Sequence, residues 1–370
     1  LAALRAEGVT VVEISFWQRN TFVERLLEAV EATHPSLLLT INHLGFDEEG
    51  ALTRLLEKLQ LPIASWFVDS PSYILQNHRG NQSDLVTTFL WEEAYAKRLA
   101  EWFPNSVWLP LAGDERRLRA PAKKSNAIGT FVGDSQFAAA VKWRKRLPDS
   151  PQFDHWIAEA SQWLHQNRLP IWEWNEMPEL SDKAQSLELE SAIVIEASRQ
   201  YRWQIVQSLA ETIPFAVYGD EGWQYAPGGL QRFPAVNYFT ELPDVYSKAA
   251  FVLNLTSYQM PTAVNQRVFD VPLCGGILLT DRQSDLTRLF SPEAFFTFTS
   301  RDDATALAKW LLHKPEQAEE KRLRQLQTIL EKHTYRHRVR TILQVMLERH
   351  YSRTSVTSHG TITERDSYFV

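Results

Sequence analysis

The residues that could do chemistry are concentrated in the stretch 253–281, which has the sequence LNLTSYQMPTAVNQRVFDVPLCGGILLTD. Its apolar ends predict two strands, and the segment 263–273 predicts a helix that the Cys-Gly-Gly sequence ends. A loop leading into a helix N-terminus favours anions, because free backbone N–H groups and the helix dipole attract negative charge. Arg267 adds a guanidinium that can bind phosphate through two hydrogen bonds. The stretch therefore predicts a site for a nucleoside diphosphate.

Two acidic residues of this stretch have more than one interpretation. Asp270 follows Arg267 by three residues on the same predicted helix. Side chains at this spacing are neighbours, so a surface ion pair is the alternative to a binding role. Asp281, at the end of the next predicted strand, either lies at the site or caps the helix that follows.

In the first third of the chain, two further candidates lie just beyond predicted strands. Asp69 follows the sequence WFV, and a carboxylate there could act as a general base on an acceptor hydroxyl. His43 follows LLLTIN and is a second candidate proton acceptor. The alternatives are a local turn or cap for Asp69, and for His43 a side chain that satisfies nearby backbone groups.

The elements that must position these residues alternate between strands and helices. Continuous apolar runs separated by helices indicate a parallel sheet covered on both faces, and right-handed crossovers make each such domain doubly wound. The segment 1–7 is typical of a helix end, so we expect a further strand upstream of it. In the first domain the predicted strands are 9–14, 36–41, 61–68, 85–90 and 107–111.

A charged, proline-containing linker at 115–126 leads to a second domain, which opens with a strand in AIGTFVGDS. The segment 136–210 is helical and poor in strands, which predicts a helical insertion. The later strands are predicted at 213–218, 236–239, 250–255, 277–280 and 295–298.

The predicted fold class is α/β, with two doubly wound, Rossmann-like domains facing across a cleft and a helical insertion in the second. The predicted domains are 1–120 and 127–340, followed by a helix end and polar tail at 341–370. Ligands bind beyond the carboxyl ends of the strands in such domains. The binding candidates are accordingly Gly133, Tyr218, Gly219, Asp220, Asn254, Thr256, Asn265, Arg267 and Asp270.

Composition excludes several classes of function. The net charge of −6 argues against a large nucleic-acid surface. The single cysteine, Cys274, allows no internal disulfide and fits a reducing compartment. No apolar stretch approaches the ~20 residues that a membrane span needs, and no signal peptide is visible, so a cytoplasmic location is expected. The sequence lacks a P-loop, a G-x-G-x-x-G fingerprint and a Cys/His cluster, so we expect no cofactor and metal-independent catalysis.

The order VLNLT, NQRVFDVPLCGGILLTD, an acidic DL..LF turn and HTYRHR at 333–338 resembles the CgeB-like (spore-maturation type) group 1 glycosyltransferases. These have the GT-B architecture. TINHLGFDEEG at 40–50, WFVDSP at 66–71 and FVGDS at 131–135 resemble other parts of the same family. The resemblance extends over most of the chain except the predicted insertion and the tail.

This resemblance implies a bacterial, hexosyltransferase-type enzyme that moves a sugar from a UDP-, GDP- or dTDP-linked donor to a hydroxyl on a protein or surface glycan. It implies that the first domain binds the acceptor and the second the nucleotide sugar. Asp270 matches the acidic position that holds the donor ribose, and Arg267 is the candidate cation near the diphosphate. Together with Asp69 and His43, Arg267 completes the predicted catalytic set.

One departure from the family pattern keeps other functions open. Many members carry a second acidic residue seven positions before the first, where this chain has Ala263. The alternatives are a nucleotide-sugar epimerase or hydrolase on the same fold, and a binding protein with a decayed site. Ala263 favours the last of these.

Overall fold

The computed structural model describes residues 1–17, 21–75, 77–120, 128–226 and 230–351. The chain divides into two compact units. The first consists of Leu1–Leu111 with Thr334–Val370, and the second of Ala112–His333. The polar part of the predicted tail, from 352, and the linker segment 121–126 lie outside the described residues.

The first unit contains a parallel sheet of four strands in chain order, and every residue of its two central strands is buried. Such strands need cover on both faces. The strands are β1 (Leu38–Ile41), β2 (Ile63–Phe67), β3 (Val86–Leu90) and β4 (Ser106–Trp108). The helices among them are α1 (Ala2–Ala6), α2 (Phe22–Thr33), α3 (Ala51–Lys58), α4 (Pro71–Leu75) and α5 (Ala94–Leu99).

The predicted strand at 9–14 is wrong. These residues form no strand, none of them is buried, and Val12 is 49% exposed. A strand of a parallel sheet needs a hydrogen-bonded neighbour and apolar cover, and this segment has neither among the described residues.

The second unit contains a six-stranded parallel sheet in the order β10-β9-β8-β5-β6-β7. The chain runs outward from β5 in one direction and then from β8 in the other, which is the Rossmann order with its reversal between β5 and β8. The predicted strand at 236–239 is wrong, because the exposed edge strand is Gln231–Pro234. The strands are β5 (Gly129–Val132), β6 (Phe215–Gly219), β7 (Gln231–Pro234), β8 (Phe251–Asn254), β9 (Leu278–Asp281) and β10 (Phe296–Phe298).

The predicted helical insertion is present between β5 and β6. It consists of α6 (Phe137–Arg144), α7 (Pro151–Asn167) and the 30-residue α8 (Lys183–Thr212). Ser150 and Asp182 cap α7 and α8 with side-chain oxygens. The first half of α8 packs in the insertion's own tryptophan-rich core, whereas its last turns pack in the core of the sheet. One continuous helix therefore fixes the insertion to the Rossmann domain.

The remaining helices of the second unit follow β7. None of the helices in the described part of the chain is both long and apolar enough to cross a membrane. The helices are α9 (Leu242–Lys248), α10 (Arg267–Leu273), α11 (Ser284–Leu289), α12 (Arg301–His313) and α13 (Pro315–Lys332).

The C-terminal helix α14 (Tyr335–His350) returns to the first unit. Its Ile342 and Met346 pack in one apolar cluster with Trp66 and Phe89 of the first sheet. The structure therefore differs from the predicted domains, which assigned the chain up to 340 to the second domain and ended the first at 120. Arg338 is buried and donates to the carbonyl oxygens of Pro110 and Leu111, so the HTYRHR segment is structural.

Candidate phosphate site at the strand reversal

The guanidinium of Arg267 lies at the carboxyl end of β5, where the strand order reverses. Its Nε and Nη2 donate to the carbonyl oxygen of Val132 at 2.9 and 2.6 Å. A Cβ atom on Gly133 would lie 2.5 Å from Nη2 of Arg267, so glycine leaves the space that the guanidinium occupies. The structure thus brings two of the predicted binding residues together at the position where such sheets bind ligands.

Two asparagines hold Arg267 from the β8 side. The buried Oδ1 of Asn254 accepts from Nδ2 of Asn265 at 2.7 Å and from Nη1 of Arg267 at 3.2 Å. The Nδ2 of Asn254 donates to Thr280 Oγ1 at 2.9 Å. Asn254 is therefore committed to orienting the arginine, and its side chain has no exposed surface for a ligand.

Arg202, which belongs to no motif of the sequence, lies at the same place. It projects from α8, is only 7% exposed, and donates from Nη1 to the carbonyl oxygen of Asp134. The guanidinium carbons of Arg202 and Arg267 lie 5.6 and 5.3 Å from the ring centroid of Phe131. Burial, followed by the nearby charge of Arg267, lowers the pKa of Arg202 to about 10, so the group is still charged at neutral pH.

The predicted residues after β6 support the turn that follows β5. Asp220 accepts hydrogen bonds from the backbone N–H and hydroxyl of Ser135 at 2.5 and 2.8 Å. Gly219 packs against the carbonyl oxygen of Gly133, where a Cβ would collide. Tyr218 stacks on the ring of Phe233 with centroids 4.7 Å apart. Asp220 and Gly219 thus shape the turn, whereas Tyr218 offers a half-buried aromatic face.

Asp270 is buried on α10 with 1% exposure. Its Oδ2 accepts from the hydroxyl of Tyr238 at 2.6 Å and its Oδ1 from Nε2 of Gln266 at 2.9 Å. Burial raises the pKa of this carboxyl, and the two hydrogen bonds oppose that effect. Asp270 and Arg267 therefore do not form the surface ion pair considered above. The hydroxyl of Tyr238 therefore occupies the carboxylate, and the ring centroid of Tyr238 lies 3.7 Å from the guanidinium carbon of Arg117.

The helix predicted over 263–273 is shorter than expected. It begins at Arg267, has seven residues and contains Pro272. Proline removes a backbone donor and shortens the run of helical hydrogen bonds. The attraction for an anion at this position therefore rests on the arginine side chains rather than on the dipole of a long helix.

Thr256 and Asp281 form a buried hydrogen-bond network that fixes the loop after β8. The carboxylate of Asp281 accepts from Thr256 Oγ1 at 2.8 Å and from Thr256 N at 3.0 Å. It also pairs with Nη2 of Arg168 at 2.6 Å, at the end of α7. Asp281 therefore does not cap α11, whose N-cap residue is Gln283. Thr256 is likewise bound to the protein rather than open to solvent.

The two candidates in the first unit have different environments. Asp69 is exposed just after β2, and its Oδ2 accepts from Nδ2 of Asn42 at 2.6 Å. His43 is only 2% exposed, stacks on Phe46, and hydrogen-bonds through Nδ1 with Ser65 at 3.1 Å. Burial lowers the pKa of His43 to about 3. This corrects the prediction that His43 accepts a proton from substrate, because the ring lies in the core as a neutral side chain.

The described residues contain no group of three or more His, Cys, Asp or Glu placed to hold a metal ion. Cys274 is buried, and burial raises the pKa of its thiol to about 12, so it is a small core residue. The candidate site of the second unit offers the guanidinium groups of Arg202 and Arg267 as its chemistry.

Comparison with known proteins connects this geometry to a class of proteins. Residues 199–344 match a family model described as Glycosyl transferase-like. Sucrose-phosphate synthase from Thermosynechococcus elongatus has a similar fold, with 9% identity and a TM-score of 0.55 over 92% of this chain and 80% of its own. The Anabaena protein HepE, in complex with UDP, gives 10% identity and a TM-score of 0.51 over 94% and 87%. No curated protein matches the chain.

The fold class is thus confirmed as α/β with two Rossmann-like domains of the GT-B type. The family match includes the last turns of α8 and the whole of α10. Both site arginines, Arg202 and Arg267, therefore lie inside the glycosyltransferase-like segment.

Proposed function

We propose that this chain is a glycosyltransferase that moves a sugar from a nucleotide-sugar donor to a hydroxyl acceptor. The observation that carries the proposal is the position of Arg267 beside Gly133, at the strand reversal of a segment that matches a glycosyltransferase-like family. A diphosphate placed there meets a fixed cation and the backbone of the β5 turn.

Donor binding is assigned to the second unit. Arg267 binds the diphosphate, and Asp270 binds the ribose hydroxyls after Tyr238 moves away. UDP is the first nucleotide to test, because the similarly folded HepE was solved with UDP. The sequence resemblance to the CgeB-like group supports three finer parts of the proposal. These are that the donor carries a hexose, that the acceptor is a bacterial protein or surface glycan, and that the chain belongs to this group.

The chemistry follows from charge development. As the bond between the sugar and the diphosphate breaks, negative charge grows on the leaving phosphate, and a fixed guanidinium stabilises it without reorganisation. Asp69 in the first unit is the proposed base that takes the proton from the acceptor hydroxyl. Fixed cations supply the leaving-group charge in this scheme, so the proposal includes metal-independent turnover.

A panel of labelled nucleotide sugars tests the proposal. Purified protein is incubated with UDP-, GDP- and dTDP-sugars, with and without a mixture of glycan and peptide acceptors. Release of the nucleoside diphosphate together with label transfer to an acceptor supports the transferase. Calorimetry should show at least one nucleoside diphosphate binding below about 1 mM, equivalent to roughly 4 kcal/mol.

The alternatives predict different outcomes of the same panel. A hydrolase releases free sugar whether or not an acceptor is present, and an epimerase changes the sugar without releasing it. A decayed binding protein binds nucleotide and turns nothing over, which Ala263 at the missing acidic position favours. Failure of the protein to bind any nucleoside diphosphate would overturn the transferase and these alternatives alike.

A further inference from the structure

We propose that Arg202, supplied by the helical insertion, is a second ligand for the donor diphosphate, so that Arg202 and Arg267 bind it together. The proposal rests on the proposed function, because it assigns a further residue to the same site. It also gives the insertion a role, since the arginine projects from the helix that fixes the insertion to the sheet.

The first observation concerns the backbone carbonyl oxygens of the turn after β5. Four successive carbonyl oxygens in this turn accept from side chains: Val132 from Arg267, Gly133 from Trp223 at 2.9 Å, Asp134 from Arg202, and Ser135 from Trp203 at 2.8 Å. Free carbonyl oxygens would repel a phosphate. Because each is already bonded, the turn presents the guanidinium groups of Arg202 and Arg267 rather than bare acceptors.

The second observation is that the buried Arg202 and the half-buried Arg267 place two like charges close together without an ion pair to either. Among the described residues, neither guanidinium has a carboxylate at ion-pair distance. The nearby carboxylates are those of Asp134, Asp220 and Asp281. They accept hydrogen bonds from Gln136 N, from Ser135, and from Thr256 and Arg168 respectively. Burying an uncompensated charge is costly, and a second cation nearby adds to the cost. A dianionic ligand bound between them removes that cost.

The third observation is the spare hydrogen-bonding capacity of Arg202. A guanidinium has five N–H donors, and in the described part of the protein Arg202 uses one of them, on the carbonyl of Asp134. The remaining donors are not sealed in the core without partners, because no atom of Arg202 is among the buried groups that lack one. They are available for phosphate oxygens.

The competing explanation is that Arg202 only holds the turn in shape. Trp203, its neighbour on α8, provides the matched control, because its indole holds the next carbonyl of the same turn without charge. If the role is structural, Arg202→Gln and Trp203→Phe should have similar effects, because each removes one side-chain hydrogen bond to a carbonyl oxygen of this turn. If the role is phosphate binding, only the loss of charge matters.

The test is calorimetry of UDP, UMP and inorganic pyrophosphate with wild type, Arg202→Lys, Arg202→Gln and Trp203→Phe, with thermal unfolding as the check on folding. We expect Arg202→Gln to weaken UDP binding ~10–100-fold, the equivalent of losing a charged hydrogen bond. The loss should be smaller for UMP, Arg202→Lys should be intermediate, and Trp203→Phe should stay close to wild type. Without ligand, Arg202→Gln should unfold at the wild-type temperature or above it, because the like charges no longer repel.

Equal UDP affinity of Arg202→Gln and wild type would overturn this assignment and leave the proposed function standing. An equal loss in Arg202→Gln and Trp203→Phe would also overturn it, in favour of a turn-holding role. If the wild type binds no nucleotide, the proposed function fails instead. In that case the binding of pyrophosphate is the deciding measurement. Binding that depends on Arg202 supports a diphosphate site that takes no nucleotide, whereas no binding of pyrophosphate refutes both the proposed function and the role of Arg202.

Discussion

Asn42 holds the carboxylate of Asp69 through its side-chain amide. The Nδ2 of Asn42 donates to Oδ2 of Asp69 at 2.6 Å, and its Oδ1 accepts from the backbone N–H groups of Val68 and Asp69 at 2.9 and 3.2 Å. Asn42 has a φ of 52°, a left-handed conformation that asparagine tolerates better than most residues. The loops after β1 and β2 are thereby joined, and an exposed carboxylate is kept in one orientation.

The proposed base predicts a defect in turnover without a defect in donor binding. Asp69→Asn should lower kcat by ~10²–10⁴-fold, because it removes a general base, and leave the Kd for UDP unchanged. Donor affinity must be measured directly, since KM need not equal Kd. The control is Asp84→Asn, an exposed aspartate that precedes β3 and so lies away from the carboxyl ends of the strands. Turnover that survives Asp69→Asn would reduce Asp69 to a turn residue.

The buried His43 predicts loss of stability in acid. Its pKa of about 3 is far below the ordinary value near 6.5, so the unfolded chain binds a proton that the folded chain refuses. Stability from this group is present above pH 6.5 and falls by roughly 1.4 kcal/mol per pH unit between there and pH 3. The free energy of unfolding, measured in urea from pH 7 to 5, should fall less per pH unit in His43→Asn than in wild type. Asparagine is chosen because it is suited to the left-handed backbone at this position. If the free energy of unfolding depends on pH equally in both proteins, the pKa of His43 is not lowered by folding.

The order of elements was predictable because apolar runs and helical spacing mark buried strands and their crossovers. The strands β1 to β4, the strand-poor insertion and the strands β8 to β10 follow that pattern. The two wrong strands have physical explanations. The segment 9–14 has strand-like residues without burial, and 236–239 lies just beyond a proline-containing edge strand, where pattern is weakest.

The site was predictable where it follows strand ends, as with Gly133 and Arg267. Arg202 could not be found in this way, because it lies 68 residues from Asp134 and on a long helix rather than at the end of a strand. Only the packing of α8 against the sheet brings it to the β5 turn. The burial of individual side chains was equally hard to predict from the sequence. His43 and Asp69 both follow a strand, yet the side chain of His43 lies in the core and that of Asp69 is exposed to solvent.

The fixed cations predict that turnover does not require a metal ion. The described residues hold no cluster of metal ligands, and guanidinium groups already lie where the diphosphate is proposed to bind. Initial rates of donor consumption should be equal after dialysis against EDTA and after addition of Mg²⁺ or Mn²⁺. Activity abolished by EDTA and restored by either ion would refute metal independence.

The proposed ribose contact predicts a defect in donor binding. Asp270→Ala should raise the Kd for UDP by ~10–150-fold, the effect of losing a hydrogen bond to a charged group of about 1.5–3 kcal/mol. Tyr238→Phe is the informative partner, because it removes the hydroxyl that now occupies the carboxylate. UDP should bind Tyr238→Phe at least as tightly as wild type. The exposed Asp244 on α9 supplies a control in Asp244→Asn, and unchanged UDP affinity in Asp270→Ala would remove the ribose assignment.

The contact between Gly133 and Arg267 gives the sharpest separation of binding from folding. In Gly133→Ala the new methyl would lie 2.5 Å from Nη2 of Arg267, the far end of a flexible side chain. The φ of Gly133 is not in the left-handed region, so alanine is compatible with the backbone there. The guanidinium should therefore shift while the fold survives.

We expect the unfolding temperature of Gly133→Ala to stay within a few degrees of wild type, while UDP affinity falls ~10-fold or more, because phosphate binding by arginine depends on its orientation. Arg267→Lys should give a comparable loss, since lysine keeps the charge but cannot bind two phosphate oxygens in parallel. The double variant should lose little beyond Arg267→Lys alone, because both changes act on one contact. Fully additive losses would mean that Gly133 contributes through the shape of the turn and not through Arg267.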